Sequence, residues 1–168
     1  WAPGGVDLPE ALEFARRLER EDIQYLSATA GTYHSIFTAP VRKKTARPCY
    51  LKEDLSELKR AVGLPVIASG RIIKPAQAEM MLKSGSADLV GLGRSLRADP
   101  EWISRAIRHE PVKACVNCNS CLKRVILEQA FVCARWPNWM REKADLEHKL
   151  LSRGMFNGLW VAANVLDM

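Results

Sequence analysis

Two spacings of apolar residues alternate along most of the chain. Helical spacing, with apolar side chains on one face and charges between them, predicts helices over residues 8–20, 54–62, 75–84 and 99–109. Short apolar runs between the helices predict buried strands over residues 23–28, 65–68 and 87–92. Regular alternation of helices with buried strands predicts an α/β fold, in which right-handed crossovers connect parallel strands.

Local signals refine this outline. Asp99 is expected to cap the helix over 99–109, with Pro100 in its first turn. Residues 35–50 show no clear period and predict a long loop between a strand and a helix. A charged helix is expected over 140–152.

Three strands are too few to close a barrel. An open sheet of this size would expose two edges and an apolar face, and 168 residues are fewer than the roughly 250 of a (β/α)₈ barrel. We therefore expect an N-terminal portion to be missing from this chain, which begins at Trp1 without a signal peptide. A small complete α/β domain is the alternative.

The same residue pair, Gly-Arg, follows two of the predicted strands. Pro65-Val-Ile-Ala-Ser-Gly-Arg71 and Ala87-Asp-Leu-Val-Gly-Leu-Gly-Arg94 each run from an apolar stretch into Gly-Arg and then a helix. Glycine lets a ligand approach the backbone, free N–H groups bind anions, and arginine adds a forked cation. Backbone N–H groups of Gly70, Gly93 and Arg94 are therefore expected on a phosphate, beside the guanidinium of Arg71 or Arg94. Two such loops match the phosphate site after strands 7 and 8 of a (β/α)₈ barrel.

Composition and charge exclude some classes. The chain is 48% hydrophobic and 26% charged, as ordinary globular proteins are, and no apolar run is long enough to span a membrane. The net charge of +6 is scattered, apart from a local cluster at residues 42–47, and this pattern favours a solvated surface over a nucleic-acid site. We expect a cytoplasmic protein with a small-molecule substrate, no nucleic-acid or membrane partner, and a homo-oligomer as one possible state.

Four of the five cysteines are crowded into a short segment. Cys115, Cys118, Cys121 and Cys133 have spacings that can wrap one tetrahedral centre, and both an iron–sulfur cluster and Zn²⁺ accept four thiolates. Without a secretory signal, this crowding favours metal or redox chemistry over disulfides. Cys49 stands apart and is expected to be a structural thiol.

Other polar residues carry weaker signals. Tyr33 and His34 follow a strand end, where barrel enzymes keep their active sites, but a lone loop histidine is more often a surface residue. Asp88 is expected to hold a loop in place rather than to act as an acid or base.

The two Gly-Arg segments, followed by Ala98-Asp-Pro100, resemble the C-terminal half of the Old Yellow Enzyme family of NADH:flavin oxidoreductases. Tyr25-Leu-Ser-Ala-Thr-Ala-Gly-Thr-Tyr33 and the helix over 8–20 also fit that family, and the resemblance covers roughly residues 1–135. It implies the C-terminal portion of an FMN-binding (β/α)₈ (TIM) barrel. Such an enzyme takes hydride from NAD(P)H and passes it to an activated alkene, such as an enone or an enoyl thioester.

The resemblance also implies roles for particular residues. It places Arg71, Gly93 and Arg94 on the FMN phosphate, with Ser69 and Gly70 lining the loop. The cysteine segment is similar to the one that holds a [4Fe–4S] cluster in the branch containing 2,4-dienoyl-CoA reductase. The family's catalytic residues lie in its N-terminal half, so none is assigned in this chain.

These observations predict three parts: a barrel portion over 1–110, a cysteine-rich segment over 111–135 and a helical tail over 136–168. Three alternatives stay open. The positive charge is compatible with a flavin enzyme of the tRNA-dihydrouridine synthase type. The cysteines are compatible with a non-catalytic zinc-binding module. The third alternative is a truncated chain that has no activity of its own.

Overall fold

The computed structural model describes residues 4–32, 35 and 38–152. It divides the chain into two compact units, one ending at Cys115 and the other beginning at Val116. The predicted boundaries at residues 110 and 135 stay predictions.

A parallel sheet forms the centre of the first unit. Its strands are β1 (Leu26–Ser27), β2 (Val66–Ala68) and β3 (Leu89–Val90), and their order in space is their order in the chain. Leu26 is opposite Val66, and Ile67 is opposite Leu89. Three parallel strands at the predicted places confirm the α/β prediction, although each strand is shorter than its apolar run.

The described residues of this unit also form six helices, of which the first precedes β1: α1 (Leu8–Glu19), α2 (Ala39–Thr45), α3 (Lys52–Ala61), α4 (Pro75–Lys83), α5 (Arg94–Ala98) and α6 (Trp102–Ile107). α1 begins with a capping box, because the Asp7 carboxylate accepts the Glu10 N–H at 3.0 Å and the Glu10 carboxylate accepts the Asp7 N–H at 3.1 Å. The shared apolar face that the sequence predicts for α3, formed by Leu55, Leu58 and Val62, is buried in the core.

Two local predictions are wrong. The loop predicted over 35–50 contains α2, whose seven residues bury only Val41 and are too few to show a period. The helix predicted over 99–109 begins at Trp102, and α5 precedes it. Asp99 is the C-cap of α5, and its carboxylate also accepts the Glu101 N–H at 3.2 Å, so it binds the turn that leads into α6 in the way expected of an N-cap.

The core lies between the sheet and the helices. Val66 and Ala68 of β2 are fully buried, as are Leu55 of α3 and Met81 of α4. Trp102 belongs to the same core and is only 2% exposed. The central strand is therefore covered by side chains from helices that come before and after it in the chain.

The second unit contains α7 (Ser120–Ile126) and α8 (Asn138–Ser152). Arg124 connects them, since its guanidinium donates to the Ala130 carbonyl at 2.8 Å and pairs with Asp145. The charged helix predicted over 140–152 is thus confirmed. Across the described ranges, the helices are all too short or too polar to cross a membrane.

Candidate cofactor-binding site

The two Gly-Arg loops lie at one edge of the sheet, where parallel strands bring their carboxyl ends together. There they line one cavity of about 260 Å³, which we call the phosphate pocket. Its walls are formed by Thr29, Tyr50, Ser69, Gly70, Arg71, Ile72, Ile73, Gly91, Gly93, Arg94, Ser95 and Cys115. All five residues predicted to bind the cofactor phosphate line this pocket, and their binding role stays a prediction.

The first loop turns through two residues with left-handed backbone. Gly70 has φ +109° and Arg71 has φ +60°, a region that suits glycine and is uncommon for other residues. The Gly70 and Arg71 carbonyls accept the N–H groups of Tyr50 at 3.3 Å and Cys49 at 3.4 Å. A Cβ at Gly70 would also lie 3.4 Å from Leu51. The residues before α3 therefore hold this turn in place.

Arg71 has a donor without an acceptor. Its Nε atom is buried and has no hydrogen-bond partner in the described structure. The buried Nε atoms of Arg105 and Arg141 share this property, but Arg105 Nε at least lies 3.4 Å from an Asp99 carboxylate oxygen. A buried cationic donor is costly to leave unpaired. Because Arg71 lines the phosphate pocket, an anionic oxygen in that pocket would satisfy it.

The second loop leaves its backbone accessible. Gly93 precedes the first residue of α5, Arg94, and a Cβ built on Gly93 would meet no atom within 4 Å. The first N–H groups of a helix have no acceptor within the helix. Open space at Gly93 therefore lets a ligand oxygen approach the backbone next to the Arg94 guanidinium.

Two side chains that the sequence analysis missed connect the loops. The Ser95 hydroxyl donates to the Ile72 carbonyl at 2.5 Å, and the Trp102 indole N–H donates to the Ile73 carbonyl at 3.3 Å. Both acceptors directly follow Arg71, so α5 and α6 hold the first loop against the second. Ser69 instead holds the first loop to the end of β1, since its hydroxyl donates to the Ala28 carbonyl at 2.7 Å. Nothing in the local sequence distinguishes Ser95 from an ordinary helix residue.

Tyr50 is a further wall residue that the sequence analysis did not select. Burial raises the pKa of its phenol, and the positive charge of Arg94 opposes that rise. The phenol therefore stays protonated at neutral pH, beside a cationic pocket. Its neighbour Cys49 is buried, as expected for a structural thiol, and burial raises the pKa of that thiol too.

Cys115 reaches the phosphate pocket because Asp99 holds the chain before it. The buried Asp99 carboxylate accepts the Lys113 N–H at 2.8 Å and the Glu101 N–H at 3.2 Å, and pairs with Arg105 at 3.4 Å. The sequence analysis placed Cys115 only in a metal site. Its place in the pocket wall depends on a bond between residues fourteen positions apart.

The predicted metal centre is less clearly formed than the phosphate pocket. Cys115 belongs to the first unit, whereas Cys118, Cys121 and Cys133 belong to the second. In residues 4–32, 35 and 38–152, no three His, Cys, Asp or Glu side chains gather closely enough to hold a metal ion. The thiolates have suitable chemistry for a cluster or zinc, but the structure does not show a preformed site.

A second cavity, of about 500 Å³, is larger but chemically different. It lies between the start of α1, the end of β1 and α3, with mainly apolar walls such as Leu12, Leu51 and Leu55. Arginine and lysine are absent from its described lining. The smaller phosphate pocket is therefore the better candidate for an anion. Tyr33 and His34, the other candidates near this strand end, lie outside the described residues.

Comparison with known proteins identifies the family of this chain. Residues 5–112, which contain both Gly-Arg loops, match the family model described as the NADH:flavin oxidoreductase / NADH oxidase family. An NADH oxidase of Thermoanaerobacter brockii is 38% identical over 120 residues, covering 69% of this chain and 18% of that protein. A bilirubin reductase of Mediterraneibacter gnavus is 31% identical over 132 residues, covering 77% of this chain and 21% of that protein.

A metal reductase of Desulforamulus reducens is 32% identical over 134 residues, covering 78% of this chain and 20% of that protein. The chain thus spans about a fifth of the length of the curated relatives it matches. The family match covers most of the first unit, including every loop residue predicted to contact the phosphate. The chain therefore belongs to the NADH:flavin oxidoreductase / NADH oxidase family, whose (β/α)₈ barrel is the fold that the sequence predicted.

Proposed function

We propose that this chain supplies the phosphate site of an FMN-dependent oxidoreductase. The observation that carries the proposal is the unpartnered, buried Nε of Arg71 in a pocket shared with Gly93 and Arg94. When bound, the flavin would carry hydride from NAD(P)H to an activated alkene such as an enone or enoyl thioester. Two relatives named as a cinnamate reductase and a bilirubin reductase support reduction as the type of reaction.

The chain's own residues would anchor and orient this cofactor. Arg71 and Arg94 would hold the phosphate oxygens through charge-assisted hydrogen bonds, with backbone N–H groups at Gly93 and Arg94 beside them. Ser95 and Trp102 hold the first loop against α5 and α6, and Ser69 holds it to the end of β1, through the hydrogen bonds described above. A rigidly anchored phosphate fixes the position of the attached ring, which is how binding far from the reacting atoms assists a reaction.

A titration with two flavins tests this proposal. FMN and riboflavin differ by the phosphate alone, so the full chain should bind FMN more tightly. Arg71→Gln should weaken FMN binding about 10- to 100-fold, the loss expected for one charge-assisted bond, and leave riboflavin binding unchanged. Flavin fluorescence gives both affinities.

Arg60→Gln is the matched control, because Arg60 is an exposed cation in the last turn of α3, away from the pocket. It should leave both affinities unchanged. Equal binding of FMN and riboflavin by the unaltered chain would contradict a phosphate site.

The cysteine segment forms a separate part of the proposal. We propose that Cys115, Cys118, Cys121 and Cys133 hold a [4Fe–4S] cluster, with Zn²⁺ as the alternative, on the strength of their donor chemistry alone. We derive no step of the reaction through this group. Iron and zinc counts on anaerobically purified protein decide between them, and neither metal in stoichiometric amount would reject both.

The remaining expectations concern the substrate and partners, the oligomeric state and the cellular location. A small-molecule substrate without nucleic-acid or membrane partners, a homo-oligomer as one possible state and a cytoplasmic location all stay part of the proposal.

A further inference from the structure

Hydroxyl groups form a second kind of hydrogen-bond donor in the wall of the phosphate pocket, beside its two arginines. Four wall residues carry them: Thr29, Tyr50, Ser69 and Ser95. The two serine hydroxyls donate to backbone carbonyls, Ser69 at 2.7 Å and Ser95 at 2.5 Å. A hydroxyl has a single proton to donate. Donation from a hydroxyl to a ligand in this pocket therefore falls to Thr29 or Tyr50.

Tyr50 is the better placed of these two residues. Its backbone N–H donates to the Gly70 carbonyl at 3.3 Å, and its ring packs against the hydrophobic core. Both its backbone and its ring are therefore held before any ligand binds. Thr29, by contrast, is exposed and also lines the larger apolar cavity. A group that is already held in place loses less conformational freedom when it binds a ligand.

The charges around the Tyr50 phenol favour an anionic acceptor for its proton. Burial raises the pKa of the phenol, and the positive charge of Arg94 opposes that rise, so the guanidinium acts on a phenol that stays protonated at neutral pH. A guanidinium has donors but no acceptor, so it cannot take the phenol proton. Aspartate and glutamate are absent from the described lining of the pocket. An anionic ligand oxygen would accept hydrogen bonds from both side chains.

We propose that Tyr50 is a third side chain that binds the cofactor phosphate, donating its phenol proton to a phosphate oxygen beside Arg94. This inference rests on the proposed function. A phosphate monoester has three terminal oxygens that accept hydrogen bonds. Arg71 follows β2, Arg94 follows β3 and Tyr50 precedes α3, so three separate segments would supply the three side chains. Because the phenol is neutral, it adds a donor without a third positive charge, and the two arginines match the two negative charges of the phosphate.

The test compares two variants that each lose one phenol oxygen. Tyr50→Phe keeps the ring that packs against the core and removes only the hydroxyl. Tyr25→Phe is the matched control, because Tyr25 is 57% exposed, precedes β1 and does not line the pocket. In the full chain, Tyr50→Phe should bind FMN about tenfold more weakly, as expected for one hydrogen bond to a charged group. Its affinity for riboflavin should be unchanged, and Tyr25→Phe should change neither affinity.

Inorganic phosphate provides a readout that does not depend on the flavin. A phenol that donates to an anionic acceptor absorbs at a longer wavelength, whereas phosphate itself does not absorb in the near ultraviolet. Saturating phosphate should therefore produce a red-shifted tyrosine difference spectrum in the unaltered chain. The same spectrum should appear in Tyr25→Phe and be lost in Tyr50→Phe.

Three results would overturn the inference. Unchanged FMN affinity in Tyr50→Phe would show that the ring alone acts in the pocket wall. An equal loss of riboflavin affinity would show that Tyr50 only supports the fold. A phosphate difference spectrum that persists in Tyr50→Phe would assign the signal to another residue.

Failure of the proposed function gives a different combination of results. If the unaltered chain binds FMN and riboflavin equally while the phosphate difference spectrum still depends on Tyr50, the proposed function is wrong and Tyr50 remains an anion-binding residue. If FMN is preferred and Arg71→Gln weakens its binding while Tyr50→Phe does not, the inference about Tyr50 alone is wrong.

Discussion

At the scale of single residues, Arg71 shows how the site depends on one unusual backbone conformation. Its φ of +60° follows the positive φ of Gly70, so two consecutive residues after β2 have left-handed backbone. This turn places the guanidinium in the wall of the phosphate pocket, where its Nε is shielded from solvent. The Gly-Arg pair therefore provides both the turn and the cation, and this is why the motif could be recognised in the sequence.

Asp88 is a residue whose expected role the structure bears out. Its carboxylate accepts the Val66 N–H at 2.7 Å and pairs with Lys59 at 2.9 Å, so it holds the start of β3 against the start of β2. The Val66 hydrogen bond and then the Lys59 ammonium lower the pKa of this carboxyl. Asp88 therefore has a structural role, and it does not line the phosphate pocket.

The lowered pKa predicts a pH dependence of stability. Because the folded pKa lies below the unfolded value of about 3.9, Asp88 stabilises the fold fully above that value and less as pH falls through the folded pKa. Asp88→Asn should therefore lower the urea midpoint at pH 6, and this difference should shrink towards pH 3. Urea titrations at the two pH values measure it. A difference that stays constant with pH would show that the charge of Asp88 is irrelevant.

At the scale of elements, α5 and α6 assemble the phosphate pocket. Ser95 and Trp102 hold the first Gly-Arg loop, while Asp99, between the two helices, holds the chain that leads to Cys115. Helical spacing in the sequence predicted one helix over 99–109, which contains α6 but not α5. The short α5 was missed because five residues are too few to establish a period.

Removing the Asp99 carboxylate should destabilise this connection. Asp99→Ala leaves the Lys113 N–H and the Arg105 guanidinium without their buried acceptor, at a cost of about 2–4 kcal/mol. Glu110→Ala is the control, because Glu110 also pairs with Arg105 but is 41% exposed and should lower the stability less than Asp99→Ala does. Urea unfolding of both variants gives the comparison. Equal losses of unfolding free energy in the two variants would mean that the burial of Asp99 does not increase its contribution to stability.

At the scale of the whole molecule, ligand binding should couple to stability. A ligand that binds only the folded chain stabilises it by about 2.7 kcal/mol at a hundred times its dissociation constant. FMN should therefore raise the unfolding temperature of the full chain, and riboflavin at equal concentration should raise it less, because it lacks the phosphate. Thermal unfolding monitored by circular dichroism tests this. An equal shift with both flavins would place the binding energy in the ring rather than in the phosphate pocket.

The sequence by itself determined the alternation of helices and strands, the two Gly-Arg loops and the family, because each depends on residues close together in the chain. Apolar spacing reports a local period, and a Gly-Arg step at a strand end is recognisable without knowing its neighbours. Only the tertiary structure decided that Tyr50, Ser95 and Cys115 complete the pocket. The hydrogen bonds that hold these residues or the chain next to them join positions 14 to 23 residues apart, which no local period in the sequence records.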